Sequence, residues 1–320
     1  MTALPVGAKA PDFTLPDQAG RSRTLASLMG RNGLLLYFVR SADWCIYCKA
    51  ELVELEEQAK AYAARGIRVA AITYDSPEIL QHFAARRGIT YPLLADEGSR
   101  VIRAFGVLNE TIPADNPAFG VPLPLTYWLD PKGVVKRRYE ESGYRERASA
   151  GSILVREFSE AGVRGQQIQA KHLQLRTSAS NASLFIGGRV TLVLEVELPP
   201  KMHVYAPGVQ GYKPIVWTMA DSPNWTSGQP MFPASRQLRL PAIGETVPVF
   251  EHSLRITREL TVGLRLPADG TRVSVKGVLH YQACDDKVCY APEQVPLEWT
   301  FTAAAIDNVR VPPAMRRGVM

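Results

Sequence analysis

The chain has 320 residues, of which 46% are hydrophobic and 21% charged, so it is long enough for two folded domains and too apolar for general disorder. Its 37 basic and 31 acidic residues leave a formal net charge of +6, but the basic residues are scattered and no run of five occurs. We interpret the charge as a solvated basic surface, and we predict neither a nucleic-acid partner nor a membrane span.

The N-terminus bears on the compartment. Residues 1–11 lack the basic stretch followed by an apolar stretch that marks a secretory signal. We therefore predict a cytoplasmic protein, or a periplasmic one if this N-terminus is incomplete. Because a reducing cytoplasm keeps cysteines as thiols, disulfides there are mostly transient and catalytic.

Residues 1–147 alternate strands with helices in the order β-α-β-α-β-β, which predicts an α/β domain whose sheet is covered by helices. Apolar or β-branched runs indicate four strands, at 34–39, 67–73, 126–129 and 134–139. Helical spacing indicates helices at 49–65 and 78–87, followed by Gly66 and Gly88 as stop signals.

The second half of the chain has a different texture. An amphipathic stretch predicts a helical linker over 148–167. Residues 168–303 then read as an all-β sandwich, with candidate strands at 190–196, 254–256, 261–266, 272–281 and 295–301. Residues 304–320 are rich in proline and arginine and predict a loose tail.

Four cysteines occur, and they form two close pairs: Cys45 and Cys48, which we call the front dithiol, and Cys284 and Cys289, the back dithiol. Two paired cysteines in each half are better explained by two redox couples than by packing. Two other interpretations stay open: a structural disulfide that staples a hairpin at the back pair, and a zinc site made of all four thiolates.

The front dithiol lies where a strand passes into a helix. Unpaired N–H groups and the helix dipole at such a junction stabilise a thiolate, so Cys45 is the predicted nucleophile. Cys45 would attack a substrate disulfide, and Cys48, one helical turn on, would resolve the mixed disulfide. Trp44 would shield the sulfur and contact substrate, and Asp43 is predicted to lie on the surface.

Three segments resemble the thioredoxin-like redoxin family, which includes the AhpC/TSA-type peroxiredoxins: residues 10–15, residues 42–51 and the Pro-Leu-Thr-Tyr-Trp-Leu-Asp run at 124–130. The resemblance implies a cis proline at Pro124 that binds substrate together with Leu123. In the disulfide-reductase branch, a glutamate three residues after the second cysteine assists proton movement, and Glu51 is at that position. The alternative for Glu51 is a first-turn acid that stabilises the helix N-terminus.

The same family separates peroxidases from disulfide reductases. Peroxiredoxins carry a proline and a threonine where this chain has Phe38 and Ala42, and many carry an arginine where it has Leu125. Because donors that would stabilise O–O cleavage are missing, we expect thiol-disulfide exchange rather than peroxide reduction.

The back dithiol lies in Tyr-Gln-Ala-Cys at 281–284 and Cys-Tyr-Ala-Pro-Glu at 289–293, which resemble the N-terminal domain of the thiol-disulfide interchange protein DsbD. The resemblance implies an immunoglobulin-like sandwich that passes electrons between disulfide proteins, and a mobile cap at 241–247 with Ile243 at the place of an aromatic residue. The predicted substrate-binding residues here are Tyr281 and Tyr290.

Two histidines lie near the back dithiol in the sequence. His203 and His280 either tune a thiolate or belong to the core or the surface of the domain.

Together, the pairs predict a thiol-disulfide oxidoreductase that exchanges electrons between Cys45/Cys48 and Cys284/Cys289, or with thiol/disulfide protein partners such as an external thioredoxin-type reductant. Fusion in one chain raises the effective concentration of each dithiol for the other to roughly millimolar. No organic cofactor is predicted, because no glycine-rich dinucleotide fingerprint follows a strand. The alternatives are a peroxidase with Cys45 as peroxidatic cysteine and a non-enzymatic redox-sensing or binding module.

Overall fold

The computed structural model describes residues 2–140, 143, 145–160, 162–240 and 244–317. The chain divides into two compact units, residues 1–150 with 306–320, and residues 151–305. We call them the front unit and the back unit. The predicted order of an α/β domain followed by an all-β domain is confirmed.

The front unit contains eight short strands and four helices among the described residues. The strands are β1 (Thr14–Pro16), β2 (Ser22–Thr24), β3 (Leu34–Phe38), β4 (Arg68–Thr73), β5 (Leu93–Ala95), β6 (Leu125–Leu129), β7 (Val135–Tyr139) and β8 (Arg147–Ala148). The helices are α1 (Leu25–Leu28), α2 (Ile46–Ala64), α3 (Pro77–Arg87) and α4 (Arg100–Ala104).

A mixed sheet of order β5-β4-β3-β6-β7 forms the centre of the front unit. Strands β3, β4 and β5 run parallel, while β6 and β7 pair antiparallel. All residues of β3 are buried, as expected for a central strand with covered faces. In the register Phe38 pairs with Leu125, so the chain leaves β3 toward the front dithiol beside the residues that precede β6.

The sequence pattern indicated β3, β4, β6, β7, α2 and α3 but none of β1, β2, β5, β8, α1 and α4, because such short elements show no period. Helix α2 also begins three residues earlier than predicted. Cys45 is its N-cap, and its sulfur accepts a hydrogen bond from the Cys48 N–H.

The back unit is built almost entirely of strands. They are β9 (Val163–Ala170), β10 (Leu173–Ala179), β11 (Ser183–Leu184), β12 (Gly188–Glu197), β13 (His203–Tyr205), β14 (Val216–Met219), β15 (Trp225–Ser227), β16 (Arg236–Leu240), β17 (Glu245–Glu251), β18 (Ser253–Val262), β19 (Arg272–Tyr281), β20 (Ala283–Cys284) and β21 (Glu293–Ala303). Helix α5 (Ala150–Phe158) precedes them.

Two sheets of the back unit, β15-β18-β12-β10-β9 and β11-β21-β19-β14, enclose its core. Buried and exposed residues alternate along β18, β19 and β21, so each strand gives one face to this core. Trp217 and Trp299 stack inside it with ring centroids 5.4 Å apart. A smaller sheet of order β16-β17-β13-β20 carries Cys284 at its end.

The ends of the back unit differ from the predicted boundaries. Helix α5 lies within the expected linker, but β9 already begins at residue 163, inside the stretch assigned to that linker. The prediction of a loose tail is corrected for residues 306–317: they belong to the front unit, where Asp307 and Val311 are buried. Composition suggested a solvated tail because the buried charges that hold it lie far away in the sequence.

None of the described helices combines the length and the apolarity that a membrane crossing requires.

Candidate functional site

The front dithiol is a closed disulfide at the N-terminus of α2, with Cα atoms 5.3 Å apart. Cys45 is 4% exposed and Cys48 is fully buried. The Cys48 N–H donates to the Cys45 sulfur over 3.3 Å, so that sulfur faces the unpaired amides of the first helical turn. These amides and the helix dipole favour a thiolate at Cys45 when the disulfide is reduced.

A buried aspartate fixes the loop between β3 and Cys45. Asp75 accepts hydrogen bonds from the Ser41 hydroxyl at 3.0 Å and the Ala42 N–H at 2.7 Å. Burial nevertheless raises the pKa of Asp75 to about 6, because those donors offset only part of the desolvation. The hydrogen bonds that fix the loop at Ser41 and Ala42 therefore depend on Asp75, a carboxyl group with a pKa of about 6.

Asp43 is not a surface residue, contrary to the prediction. It is 3% exposed and accepts hydrogen bonds from the Arg310 Nε at 2.7 Å and the Val311 N–H at 2.8 Å. Residues 306–317, which we call the C-terminal segment, therefore cover the loop at Asp43. The sequence around Asp43 could not reveal this contact.

Lys49, directly after Cys48, is also buried by the C-terminal segment. It is 1% exposed, and its ammonium lies 3.5 Å from the Asp307 carboxylate and donates to the Val309 carbonyl at 2.9 Å. Burial lowers the pKa of Lys49, while Asp307 opposes that shift. Arg86 of α3 forms a second ion pair with Asp307, at 2.8 Å.

Trp44 is half-buried beside Cys45, which agrees with a shielding position. Its indole N–H donates to the Tyr74 hydroxyl at 2.9 Å, and the Arg40 guanidinium lies over its ring at 4.7 Å. Burial raises the pKa of Tyr74 to about 12, so its hydroxyl stays protonated and available as a partner for Trp44.

Glu51 and Cys48 share a partner that the sequence did not indicate. Arg147 donates from Nε to the Glu51 carboxylate at 3.0 Å and from Nη2 to the Cys48 sulfur at 3.7 Å. Glu51 is 8% exposed and Arg147 is 4% exposed. Burial raises the pKa of Glu51 to about 7 although Arg147 opposes the shift, so Glu51 exchanges its proton near neutral pH. No local sequence pattern could have predicted that Arg147 contacts Cys48, because 98 residues lie between them in the chain.

The predicted substrate contacts of the front unit differ in exposure. Leu123 is 49% exposed, and Pro124 is half-buried where the chain enters β6. All peptide bonds in the described residues are trans, so the implied cis bond at Pro124 is absent. The trans isomer of an X–Pro bond is the more stable one unless surrounding contacts select cis. Leu125, at the position of the peroxiredoxin arginine, is a buried apolar residue.

The back dithiol is also a closed disulfide, at the tip of a hairpin. Cys284 is 1% exposed, whereas Cys289 is exposed. Asp285 shapes the tip, because its carboxylate accepts hydrogen bonds from the Lys287 and Val288 N–H groups and from the Tyr290 hydroxyl, each at 2.8 Å. The backbone donors lower the pKa of Asp285, so it stays ionised and the turn stays formed.

Neutral aromatic side chains surround the back dithiol. The Tyr205 hydroxyl lies 3.6 Å from the Cys289 sulfur, and the Tyr205 ring stacks on Tyr212 at 4.4 Å. His203 pairs with Cys284 in the sheet register and is 3% exposed, and burial lowers the pKa of its imidazole. It is therefore neutral near pH 7, and it belongs to the buried part of the domain.

The other residues predicted to lie near the back dithiol differ in burial and in their contacts. Tyr281 is 2% exposed and donates its hydroxyl to the Lys171 carbonyl, so it lies in the core of the back unit. Tyr290 is half-buried and stacks on His172 at 4.0 Å. The proposed cap residue Ile243, with Pro241, lies outside the described residues. His280 contacts the Thr218 hydroxyl at 3.3 Å on β14.

A thioredoxin-like sheet with a Cys-X-X-Cys disulfide at its longest helix, joined to a β domain with a second disulfide, defines a thiol-disulfide oxidoreductase. Residues 6–138 match the AhpC/TSA family model, and residues 170–298 match the model described as thiol:disulfide interchange protein DsbD, N-terminal. The chain therefore belongs to the AhpC/TSA family through its front unit, and a DsbD N-terminal domain follows that unit in the sequence.

Individual relatives match the front unit. Thiol-disulfide oxidoreductase ResA of Geobacillus thermodenitrificans is 31% identical over 137 residues, which are 42% of this chain and 70% of the relative. Peroxiredoxin Q, chloroplastic, of Populus jackii is 33% identical over 134 residues, 42% of this chain and 59% of the relative. The crystal structure of peroxidoxin BcpB from Mycobacterium tuberculosis has a TM-score of 0.39 at 27% identity and covers 43% of this chain and 86% of that one.

Proposed function

We propose that this protein is a two-dithiol relay, in which Cys45/Cys48 and Cys284/Cys289 exchange electrons within one chain. The observation that carries the proposal is that each pair is closed as a disulfide in its own unit, with Cys289 exposed at the back and Cys45, 4% exposed, beside a fully buried Cys48 at the front. The similarity to ResA and to the DsbD N-terminal domain supports disulfide exchange on both sides.

The exposure of the cysteines suggests which sulfurs meet. The Cys45 thiolate attacks the Cys289 sulfur, which forms a Cys45–Cys289 bond, breaks the Cys284–Cys289 bond and leaves the electron pair on Cys284. Cys48 then attacks Cys45, which closes the front disulfide and releases the Cys289 thiolate. Two electrons have moved to the back dithiol, and the same steps in reverse move them forward.

The competing interpretation of the back disulfide is that it is purely structural and only stabilises the hairpin. The exposure of Cys289 argues against it, because a bond that serves only to stabilise the fold does not need an accessible sulfur. A sandwich of this length also buries enough apolar surface to fold without a staple.

The relay is tested by trapping. In Cys48→Ser with the back pair oxidised, the resolving step is blocked, so we expect a Cys45–Cys289 disulfide, detected by peptide mass spectrometry. Its yield should not change on dilution, because the reaction occurs within one chain. In the matched variant Cys45→Ser the remaining front thiol, Cys48, is buried, and no adduct is expected.

Either of two results would contradict the relay. One is the absence of the adduct while Cys45 still reacts with iodoacetamide. The other is an adduct that forms only between chains, which would mean that each dithiol serves an outside protein.

Peroxide reduction is a second candidate, because relatives of the front unit are named peroxiredoxins. The Cys45 thiolate would attack peroxide, breaking the O–O bond to give a sulfenic acid and hydroxide, and the Cys48 thiolate would then displace hydroxide from Cys45 to close the disulfide. Ala42 and Leu125 supply no donor for that step, and Arg147 donates to Cys48 rather than to Cys45. Peroxide consumption with dithiothreitol by Cys284→Ser/Cys289→Ser would establish this activity in the front unit alone.

A further inference from the structure

The buried Arg147 donates hydrogen bonds both to the Glu51 carboxylate and to the Cys48 sulfur of the front dithiol. Arg147 lies 3.0 Å from the Glu51 carboxylate and 3.7 Å from the Cys48 sulfur, and all three residues are at least nine-tenths buried. A guanidinium presents several donors in a fixed planar fork, so one side chain can serve both acceptors at once.

We propose that Arg147 is a further catalytic residue of the front dithiol, whose guanidinium holds the Cys48 thiolate that forms whenever the disulfide opens. The inference rests on the proposed function, since it concerns the same exchange reaction. It concerns the front dithiol alone, however, and does not require that the back dithiol is the partner.

The need for such a group follows from the burial of Cys48. When a partner thiolate attacks Cys45, a bond forms between the partner sulfur and Cys45, the Cys45–Cys48 bond breaks, and its electron pair stays on Cys48. Cys48 is fully buried, so water cannot solvate that charge, and an uncompensated buried anion is strongly disfavoured. Arg147 already touches the sulfur that becomes charged, so no rearrangement is needed at that moment.

The Glu51 carboxylate competes with the Cys48 thiolate for the positive charge of Arg147. When Glu51 is ionised, its carboxylate and the Cys48 thiolate both attract the Arg147 guanidinium, which also donates to the Glu146 carbonyl at 2.7 Å. When Glu51 takes up the Cys48 proton, the competing carboxylate charge is removed. Glu54 faces Glu51 from the same helix, and the buried Tyr37 and Tyr91 face these carboxylates from β3 and from the segment before β5. Proton and electron movements at Cys48 are therefore coupled through Arg147.

A purely structural interpretation is that Arg147 only neutralises Glu51. The two interpretations differ in the titration of Cys48. A structural pair leaves the Cys48 thiol unchanged when Arg147 is replaced, whereas a catalytic Arg147 lowers the pH at which this thiol ionises.

The test uses the full chain with Cys45→Ser, Cys284→Ser and Cys289→Ser, in which Cys48 is the only thiol and its ionisation is followed by thiolate absorbance at 240 nm. We expect Arg147→Gln to raise the midpoint by about one pH unit or more, a tenfold effect. Arg147→Lys should restore part of the shift. Glu51→Gln should move the midpoint in the opposite direction, because it removes the competing negative charge.

The matched control is Arg23→Gln, which breaks a 2.8 Å pair with the buried Asp17 elsewhere in the front unit and should leave Cys48 unchanged. An unchanged midpoint in a folded Arg147→Gln would overturn the proposal. If that variant does not fold, Glu51→Gln decides: a lower midpoint supports the proposal, and a higher or unchanged one overturns it. Because none of these readouts needs the back dithiol, failure of the relay and failure of this proposal are separate results.

Discussion

The front and back dithiols hold their sulfurs in opposite environments. At the front, both cysteines are buried, and charged groups lie beside them: Arg147 at Cys48, and Lys49 with Asp307 one residue further along. At the back, Cys289 is exposed at a hairpin tip and the Tyr205 hydroxyl lies 3.6 Å from its sulfur. We therefore expect buried charge, and hence pH, to govern the reactivity of the front dithiol, and access and neutral hydrogen bonds to govern that of the back dithiol.

The largest expected effect tests the buried charge of the front unit. Asp307→Asn leaves the Lys49 ammonium buried without its carboxylate, so we expect a loss of about 3–5 kcal/mol in the free energy of unfolding of the front unit. Urea unfolding followed by hydrogen exchange on peptides of each unit measures it. Adding Lys49→Met should recover much of the loss, because it removes the unpaired charge.

Its control lies in the back unit. Glu293 pairs with Lys171 at 3.3 Å; the Lys171 side chain is exposed and the Glu293 side chain is half-buried, so water reaches both charges. Glu293→Gln should therefore cost under about 1 kcal/mol. If Asp307→Asn costs no more than this control, the contrast between buried and exposed charge is wrong.

The second prediction concerns pH. The folded pKa of Glu51 is raised from 4.5 to about 7, so the unfolded chain releases this proton first and the stability of the front unit falls as pH rises through that window. Glu51→Gln should flatten the fall between pH 5 and 7.5 by up to roughly 3 kcal/mol, measured by urea unfolding at both pH values.

Glu57 provides the comparison for that slope. It lies on the same helix, and partial burial together with Glu54 also raises its pKa to about 7, but its side chain is exposed. Because water screens an exposed carboxylate, Glu57→Gln should remove less of the slope than Glu51→Gln. Equal effects of the two variants would show that Glu51 is not specially coupled to the dithiol.

The smallest expected effect tests the neutral environment of the back dithiol. Tyr205→Phe removes the hydroxyl 3.6 Å from the Cys289 sulfur, which should disfavour the reduced form by about two- to tenfold, since one hydrogen bond contributes ~0.5–1.5 kcal/mol. The equilibrium of the back pair with dithiothreitol, in Cys45→Ser/Cys48→Ser, measures it. Tyr212→Phe is the control, because its hydroxyl donates to Glu245 instead; an equal shift there would assign the effect to ring packing.

Prediction from sequence succeeded where the information is local. The apolar run before Cys45 and the three-residue spacing to Cys48 are enough to place a dithiol at a helix N-terminus, and the structure has it there. The strands of the back unit follow from alternation over ten residues, as in β18 and β19. Short elements such as β5 lack such a period and were not indicated.

Prediction failed where a charge has a distant partner. Asp43 was assigned to the surface because an aspartate usually lies there, yet Arg310 covers it. The tail was predicted to be loose because its composition is polar, yet Asp307 pairs with Lys49 and Arg86. A local pattern gives the cost of burying a charge but does not identify the residue that compensates it.

The two dithiols, their spacing and the change from an alternating α/β pattern to an all-β one can be read from the sequence alone, because backbone periodicity and helix capping act over a few residues. Three features appear only in the folded protein: Arg147 lies between Glu51 and Cys48, residues 306–317 pack with the front unit, and Cys289 rather than Cys284 is exposed. These features depend on the path of the chain, since charges separated by 95 residues or more in sequence interact strongly only after folding brings them together and removes the water between them.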